Sequence, residues 1–113
     1  MKPDVSRDEL LFLHLVSMLQ FAAMQQMGKV PNPVSGEIER DLEHARASID
    51  MVEMLHAKTS GQRTAAESEF IDKVLFELRM NFVDETKRVE KERAGTEGMA
   101  PDAPGAGGTD AGR

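Results

Sequence analysis

The chain has no cysteine, no tryptophan and no tyrosine, and only 4% of its 113 residues are aromatic. Without cysteine there are no disulfides, no thiolate catalysis and no zinc site built on sulfur; the composition is compatible with a reducing cytoplasm, where the protein is expected. With so few rings, the core must be assembled from aliphatic side chains and from the eight methionines, which fill space but specify shape weakly. Positive charge is also short. Fourteen Lys and Arg face twenty Asp and Glu, a formal charge of −6, so broad electrostatic binding to nucleic acid or to an anionic membrane is not expected.

Long hydrophobic runs are nearly absent too. The one strong candidate is "LLFLHLVSMLQFAAMQQM", residues 10 to 27, with 13 apolar positions of 18. A signal peptide needs a basic leader and a small-residue cleavage site, whereas Asp4, Asp8 and Glu9 outweigh Lys2 and Arg7 and no Ala-x-Ala follows. A membrane span needs ~20 mainly apolar residues. His14, Ser17 and Gln20 interrupt this run and Gln25 and Gln26 close it, so a helix of a water-exposed domain is expected, with no membrane span.

What is present is helical patterning. Ser6 and Glu9 form a capping box that starts a first helix, and Gly28 followed by "VPNPVSG" ends it. Ser35 is read as the cap of a second helix with Glu37 and Glu39 in its first turn. Ile38, Leu42, Ala45, Ile49 and Val52 step by 4, 3, 4 and 3 along one stripe, widened toward its buried end by Met51, Met54 and Leu55. Thr64 with Glu67 opens a third helix, whose stripe of Ile71, Leu75, Leu78 and Phe82 is broadened by Phe70 and Val74. This helix lies antiparallel to the second. Past Val83 the run "DETKRVEKER" keeps pairs such as Asp84 with Arg88 but has only Val89 to bury, so an exposed, fraying extension is expected.

The fold expected is therefore all-α. A three-helix, bundle-like domain over residues 1–93 combines a long apolar first helix with an antiparallel hairpin, the helices covering about residues 7–27, 36–58 and 65–92. Residues 94–113, rich in Gly, Ala and Pro, read as a disordered tail. The first helix is apolar around most of its circumference, more than two antiparallel partners cover, so a second copy of the chain is expected over Leu11, Leu15, Met18, Leu19 and Ala22. A different protein partner is the rival.

Candidate chemistry is sparse. The stretch "HAKTSGQRT" places Lys58, Thr59, Gly61, Arg63 and Thr64 at the start of the third helix. Two cations beside free amides are the ingredients of an anion-binding loop for a phosphate-bearing ligand or RNA. They are equally those of a helix–turn–helix connection, the preferred reading. Glu53 and His56 have the Glu-x-x-His spacing of carboxylate-bridged metal sites, but the third helix offers only apolar residues on its inner stripe. They read as a surface Glu beside a helix-end His, and no metal or cofactor is assigned. His14 reads as a hydrogen-bonded core or interface residue. Arg46, Asp50 and Arg79 read as a half-buried ion-pair network between helices. No nucleophile elbow and no P-loop occurs.

The stretch "DLEHARASIDMVEMLHAKTSGQRTAAESEFIDKVLFELRMNFV", residues 41 to 83, resembles a small bacterial family, domain of unknown function 1844. Its pattern falls here on Leu42, Ala45, Arg46, Ile49, Asp50, Leu55, Lys58, Thr59, Gly61, Thr64, Glu67, Leu78, Arg79, Phe82 and Val83. The similarity runs upstream through Leu19, Ala22 and the Gly28-to-Gly36 connector with Pro33, over roughly residues 10 to 85. Gln62, Arg63 and Phe82 stand where the family usually has Asn, Leu and Tyr. The resemblance implies no activity. The functional expectation is a non-catalytic helical interaction protein, a homodimeric adaptor or accessory subunit, with a ligand-binding module at residues 58–64 as the alternative.

Overall fold

The computed structural model describes residues 6–99. Among them the regular elements are three helices, α1 (Arg7–Gln26), α2 (Leu42–Lys58) and α3 (Ala65–Met99), and no strand. None is long and apolar enough to cross a membrane. The chain divides into two units, Met1–Val83 and Asp84–Arg113.

In the first unit, α1 begins where the capping residue predicts: Ser6 Oγ accepts the Glu9 amide at 3.1 Å. At the other end Gly28 takes φ +83°, the left-handed conformation open to glycine. The Gly28 amide then donates to Gln25 O and the Lys29 amide to Met24 O, at 3.0 and 2.9 Å, the paired bonds of a Schellman motif.

The connector reaches further than the sequence predicts, and α2 starts at Leu42 rather than near residue 36. Asn32 and Ser35 are the physical reason. Asn32 Oδ1 accepts the Val34 and Ser35 amides at 2.7 and 3.3 Å, and Ser35 Oγ accepts the Glu37 amide at 3.2 Å. Glu39 takes bonds from Asn32 Nδ2 and Ser35 Oγ at 3.1 and 3.4 Å. Side chains read as a helix cap and a first turn instead wrap a loop, the competition with helix that short polar residues create. Asp41 is the cap, accepting the His44 amide at 3.1 Å. Ile38 accordingly leaves the stripe and is 61% exposed.

Cross-helix bonds define the topology. Gln26 at the end of α1 has acceptors around its amide nitrogen and donates to Ser48 Oγ, His44 O and Ala22 O at 2.7, 3.0 and 3.2 Å, holding the start of α2. His56 meets Asp72 and Glu53 meets Arg79, so α2 and α3 run antiparallel. Glu9 meets Thr64 and Gln20 meets Glu77, so α1 and α3 run parallel. The result is an up-down-up arrangement.

Its core is Val16, Ala23, Met27, Ala45, Ile49, Val52, Ile71, Val74, Leu75 and Leu78, with Phe12, Leu19, Met24, Leu42, Leu55, Phe70 and Phe82 packed against it. The 4, 3, 4 stripes of α2 and α3 supply most of it. Met51 and Met54 do not join it; each is 47% exposed. They lie one helical step beyond the arc that α1 and α3 cover, so Ala45, Ile49 and Val52 close the space without them.

In the second unit, α3 carries on past residue 92 to Met99. No proline lies between Pro33 and Pro101, so none interrupts the ladder of i to i−4 bonds along α3. Arg88 pairs with Asp84 and Glu85 at 3.4 and 3.6 Å. The tail expected from residue 94 is thus helical in its first six positions, and residues 100–113 lie outside the described residues.

Candidate functional site

Two places have the makings of a site: the α2–α3 loop and the outer face of α1. In the loop, Gly61 turns the chain with φ +80°. Arg63 then folds back over the end of α2. Its Nη1 donates to His56 O at 2.6 Å and to Thr59 Oγ1 at 2.9 Å, and its Nε donates to Ser68 Oγ at 3.0 Å. Thr59 Oγ1 in turn donates to Leu55 O at 2.6 Å. The guanidinium therefore satisfies the His56 carbonyl near the end of α2, and the Thr59 hydroxyl adds a bond to Leu55 O.

Thr64 completes a two-sided capping box, its hydroxyl accepting the Glu67 amide at 3.1 Å while Glu67 Oε1 accepts the Thr64 amide at 2.7 Å. The same hydroxyl donates to Glu9 Oε1 at 2.6 Å. Both carboxylates are buried, each with 8% of its surface exposed. An anion arriving here meets donors already committed within the chain and two carboxylates that repel it. Lys58 is exposed, and among the described residues its side chain makes no hydrogen bond or ion pair.

The charged groups of the hairpin meet through Glu53. Arg46 donates to Asp50 at 3.0 and 2.7 Å and to Glu53 at 3.2 Å, and Arg79 donates to the other oxygen of Glu53 at 3.1 Å. Arg46 also lies over the Phe82 ring, 5.6 Å from its centre. The hydrogen bonds to Asp50 hold the Arg46 guanidinium above its ordinary proton affinity. The network is more open than its proximity to the stripes suggests: Arg46, Asp50 and Arg79 expose 45, 58 and 56% of their side chains. Ion pairs this exposed contribute little to stability. His56 places Nε2 2.8 Å from Asp72 Oδ1, so Glu53 and His56 turn to different partners. Among the described residues no group of three acidic, His or Cys side chains is gathered for a metal ion.

The outer face of α1 is different in kind. Leu10, Leu11, Leu15, Met18 and Phe21 are 57, 50, 41, 55 and 49% exposed. Of the five residues expected under a second copy, Leu11, Leu15 and Met18 are exposed, whereas Leu19 packs against the core and Ala22 is half-buried. Leu10 and Phe21 complete the face. Their positions, 3 or 4 residues from His14 and Met18 on a helix, are the signal that identifies them. Between Glu9 and Gln26 the helix carries no Asp, Glu, Lys or Arg, and His14 is its one histidine. Exposed Met51 on α2 and Phe76 and Met80 on α3 add apolar surface on the neighbouring helices. Beside α1, a groove of about 400 Å³ is lined by Leu13, Ala66, Glu69, Phe70 and Lys73.

The comparisons with known proteins bear on lineage. The family model described as Domain of unknown function (DUF1844) matches residues 9–84, well over half of the chain. The chain belongs to this family. The DUF1844 match spans α1, the connector, α2 and α3 to the end of the first unit, so it takes in both the loop and the apolar face. No curated protein and no solved structure matches the chain.

Proposed function

We propose that the chain is a non-catalytic helical interaction protein that pairs with a second copy of itself through the outer face of α1 and serves as an adaptor or accessory subunit. One observation carries this reading: five large apolar side chains, Leu10, Leu11, Leu15, Met18 and Phe21, stand open to water on one side of one helix. Contiguous exposure of this kind marks interaction surfaces in water-soluble proteins.

A second copy can cover this face even though like net charge opposes the pair. Two chains of −6 repel one another, so they associate best through a surface from which carboxylates are excluded. The α1 face is such a surface, and closed twofold symmetry buries it against itself with no further element required. The acidic, cysteine-free composition fits work in a reducing cytoplasm.

Light scattering coupled to size exclusion over a range of concentrations tests the reading. The chain is expected at twice its own mass. Leu15→Glu combined with Met18→Lys, which places charge at the centre of the face, returns it to a single chain with an unchanged helical circular dichroism spectrum. A wild-type chain that stays single at every concentration overturns the proposal.

A further inference from the structure

The seam between α1 and α3 carries a second surface, separate from the outer face of α1. Glu9 bonds Thr64 and Gln20 bonds Glu77, so these pairs mark the line along which the two parallel helices meet. Along that line lies the groove of about 400 Å³, with Leu13, Ala66 and Phe70 as its apolar lining. Phe76 and Met80 follow Lys73 by three and seven residues on the same side of α3, and both are exposed. Apolar surface therefore runs from Ala66 to Met80, about 21 Å along the helix at the usual rise per residue.

Two charges stand in the same groove. Glu69 precedes Lys73 by four residues, the order in which such pairs close on a helix surface. Yet both are exposed, and among the described residues neither side chain makes an ion pair or a hydrogen bond. Arg46, Arg63 and Arg79 are by contrast committed within the chain. A partner that fits the groove supplies an apolar stripe, a cation beside Glu69 and an anion beside Lys73. The net charge of −6 further favours a partner whose remaining surface is basic, which a second copy does not offer. A strand has no edge to extend, because the described residues hold no strand. A helix has the right form. Laid antiparallel to α1 and α3, it continues the up-down-up order into a four-helix arrangement. Running that way it passes Lys73 before Glu69, so its acid comes one turn before its base.

We infer that the groove between α1 and α3 is a docking site for a basic amphipathic helix of another protein, held antiparallel to α3. Its apolar stripe covers Leu13, Phe70 and Phe76, its acid meets Lys73 and its base meets Glu69. The apolar stripe supplies most of the affinity, as in other helix-in-groove complexes. Exposed ion pairs add little affinity, but they select the direction in which the helix lies. The inference goes beyond self-association and does not depend on it, since none of Leu10, Leu11, Leu15, Met18 and Phe21 lines the groove.

Fluorescence anisotropy of the full chain with two labelled peptides tests this. Each peptide has about 18 residues, long enough for a helix, with leucines at i, i+3, i+4 and i+7 spacing and arginines on the opposite face. In one, a glutamate beside the leucine stripe precedes a lysine by four residues; in the other the two are exchanged. The wild-type chain is expected to bind the first about threefold to tenfold more tightly, the sum of two exposed pairs gained and two like-charge contacts avoided. Glu69→Lys combined with Lys73→Glu keeps the net charge and inverts the preference, with an unchanged circular dichroism spectrum. Leu15→Glu combined with Met18→Lys binds both peptides as the wild type does, so failure of self-association is told apart from failure of the groove. No binding of either peptide, equal binding of the two, or a preference that survives the exchange at Glu69 and Lys73 overturns the inference. Loss of binding in the Leu15 and Met18 variant puts the peptide on the outer face of α1 and overturns it as well.

Discussion

Thr64 Oγ1 donates a 2.6 Å hydrogen bond to Glu9 Oε1 across 55 residues of sequence. The bond ties the first turn of α1 to the cap of α3, and it changes the role of Glu9. The sequence reads Glu9 as reaching back to its own helix start. Its backbone amide does bond Ser6 Oγ, but its carboxylate turns inward to Thr64. One hydroxyl thereby caps α3 and orients α1.

Replacing Thr64 by Ala removes the cap acceptor for the Glu67 amide and leaves the buried Glu9 carboxylate without its donor. The expected loss is about 2–3 kcal/mol, the sum of a helix cap and a charge-assisted bond. Thr64→Ser keeps both bonds and stays within about 0.5 kcal/mol. Urea unfolding of the three chains measures this.

The loop cations separate in the same experiment. Arg63→Ala leaves His56 O, Thr59 Oγ1 and Ser68 Oγ without their shared donor, and a loss of about 1–2 kcal/mol is expected. Lys58 has no such partner, so Lys58→Ala stays within about 0.5 kcal/mol. Equal losses for the two variants would mean that the fold of the guanidinium over α2 does not stabilise the hairpin.

Asp41 governs part of the acid response. The bond from the His44 amide, and next that from the His44 side chain, hold its carboxyl below the ordinary value of 3.8. A carboxyl whose folded value lies below its unfolded one contributes stability that is complete above the unfolded value and is lost as pH falls through the folded one. Asp41→Asn keeps a capping oxygen but does not titrate. It is expected to make helix loss on acid titration less steep below about pH 4, as followed by circular dichroism, with a small effect because the carboxyl is in water.

Core and face are distinguished by two residues two positions apart on α3. Leu78 is fully buried and Phe76 is 63% exposed. Leu78→Ala is expected to cost about 2–5 kcal/mol through lost contacts and a cavity, whereas Phe76→Ala stays under about 1 kcal/mol. Thermal melts of the two variants check the contrast.

Periodicity made much of this readable beforehand. Ala45, Ile49, Val52, Ile71, Leu75 and Leu78 are spaced for one helix face and all are buried, because only that face meets neighbouring helices. Capping residues were readable where side chain and backbone had one sensible partner, as at Ser6, Thr64 and Gly28. They misled where local alternatives competed. Ser35 had a loop carbonyl and amide network within reach through Asn32 and Glu39, so α2 waited for Asp41. The loop residues Lys58 and Arg63 look alike as charges. Only Arg63 has the reach and fork of donors to satisfy His56 O, Thr59 and Ser68 together.

By itself, the sequence determined the number of helices, the antiparallel hairpin, most of the core stripes and the scarcity of charge along α1, since each follows from local spacing and chemistry. The tertiary structure decided which apolar residues remain outside. Three helices can shield only the arcs they turn toward one another, so Ile49 and Leu78 are covered while Leu10, Met18, Phe21, Met54 and Phe76 are not. It also decided that Glu53 joins Arg46 to Arg79 and that Glu9 meets Thr64, because those partners are distant in sequence and are brought together only when the helices pack.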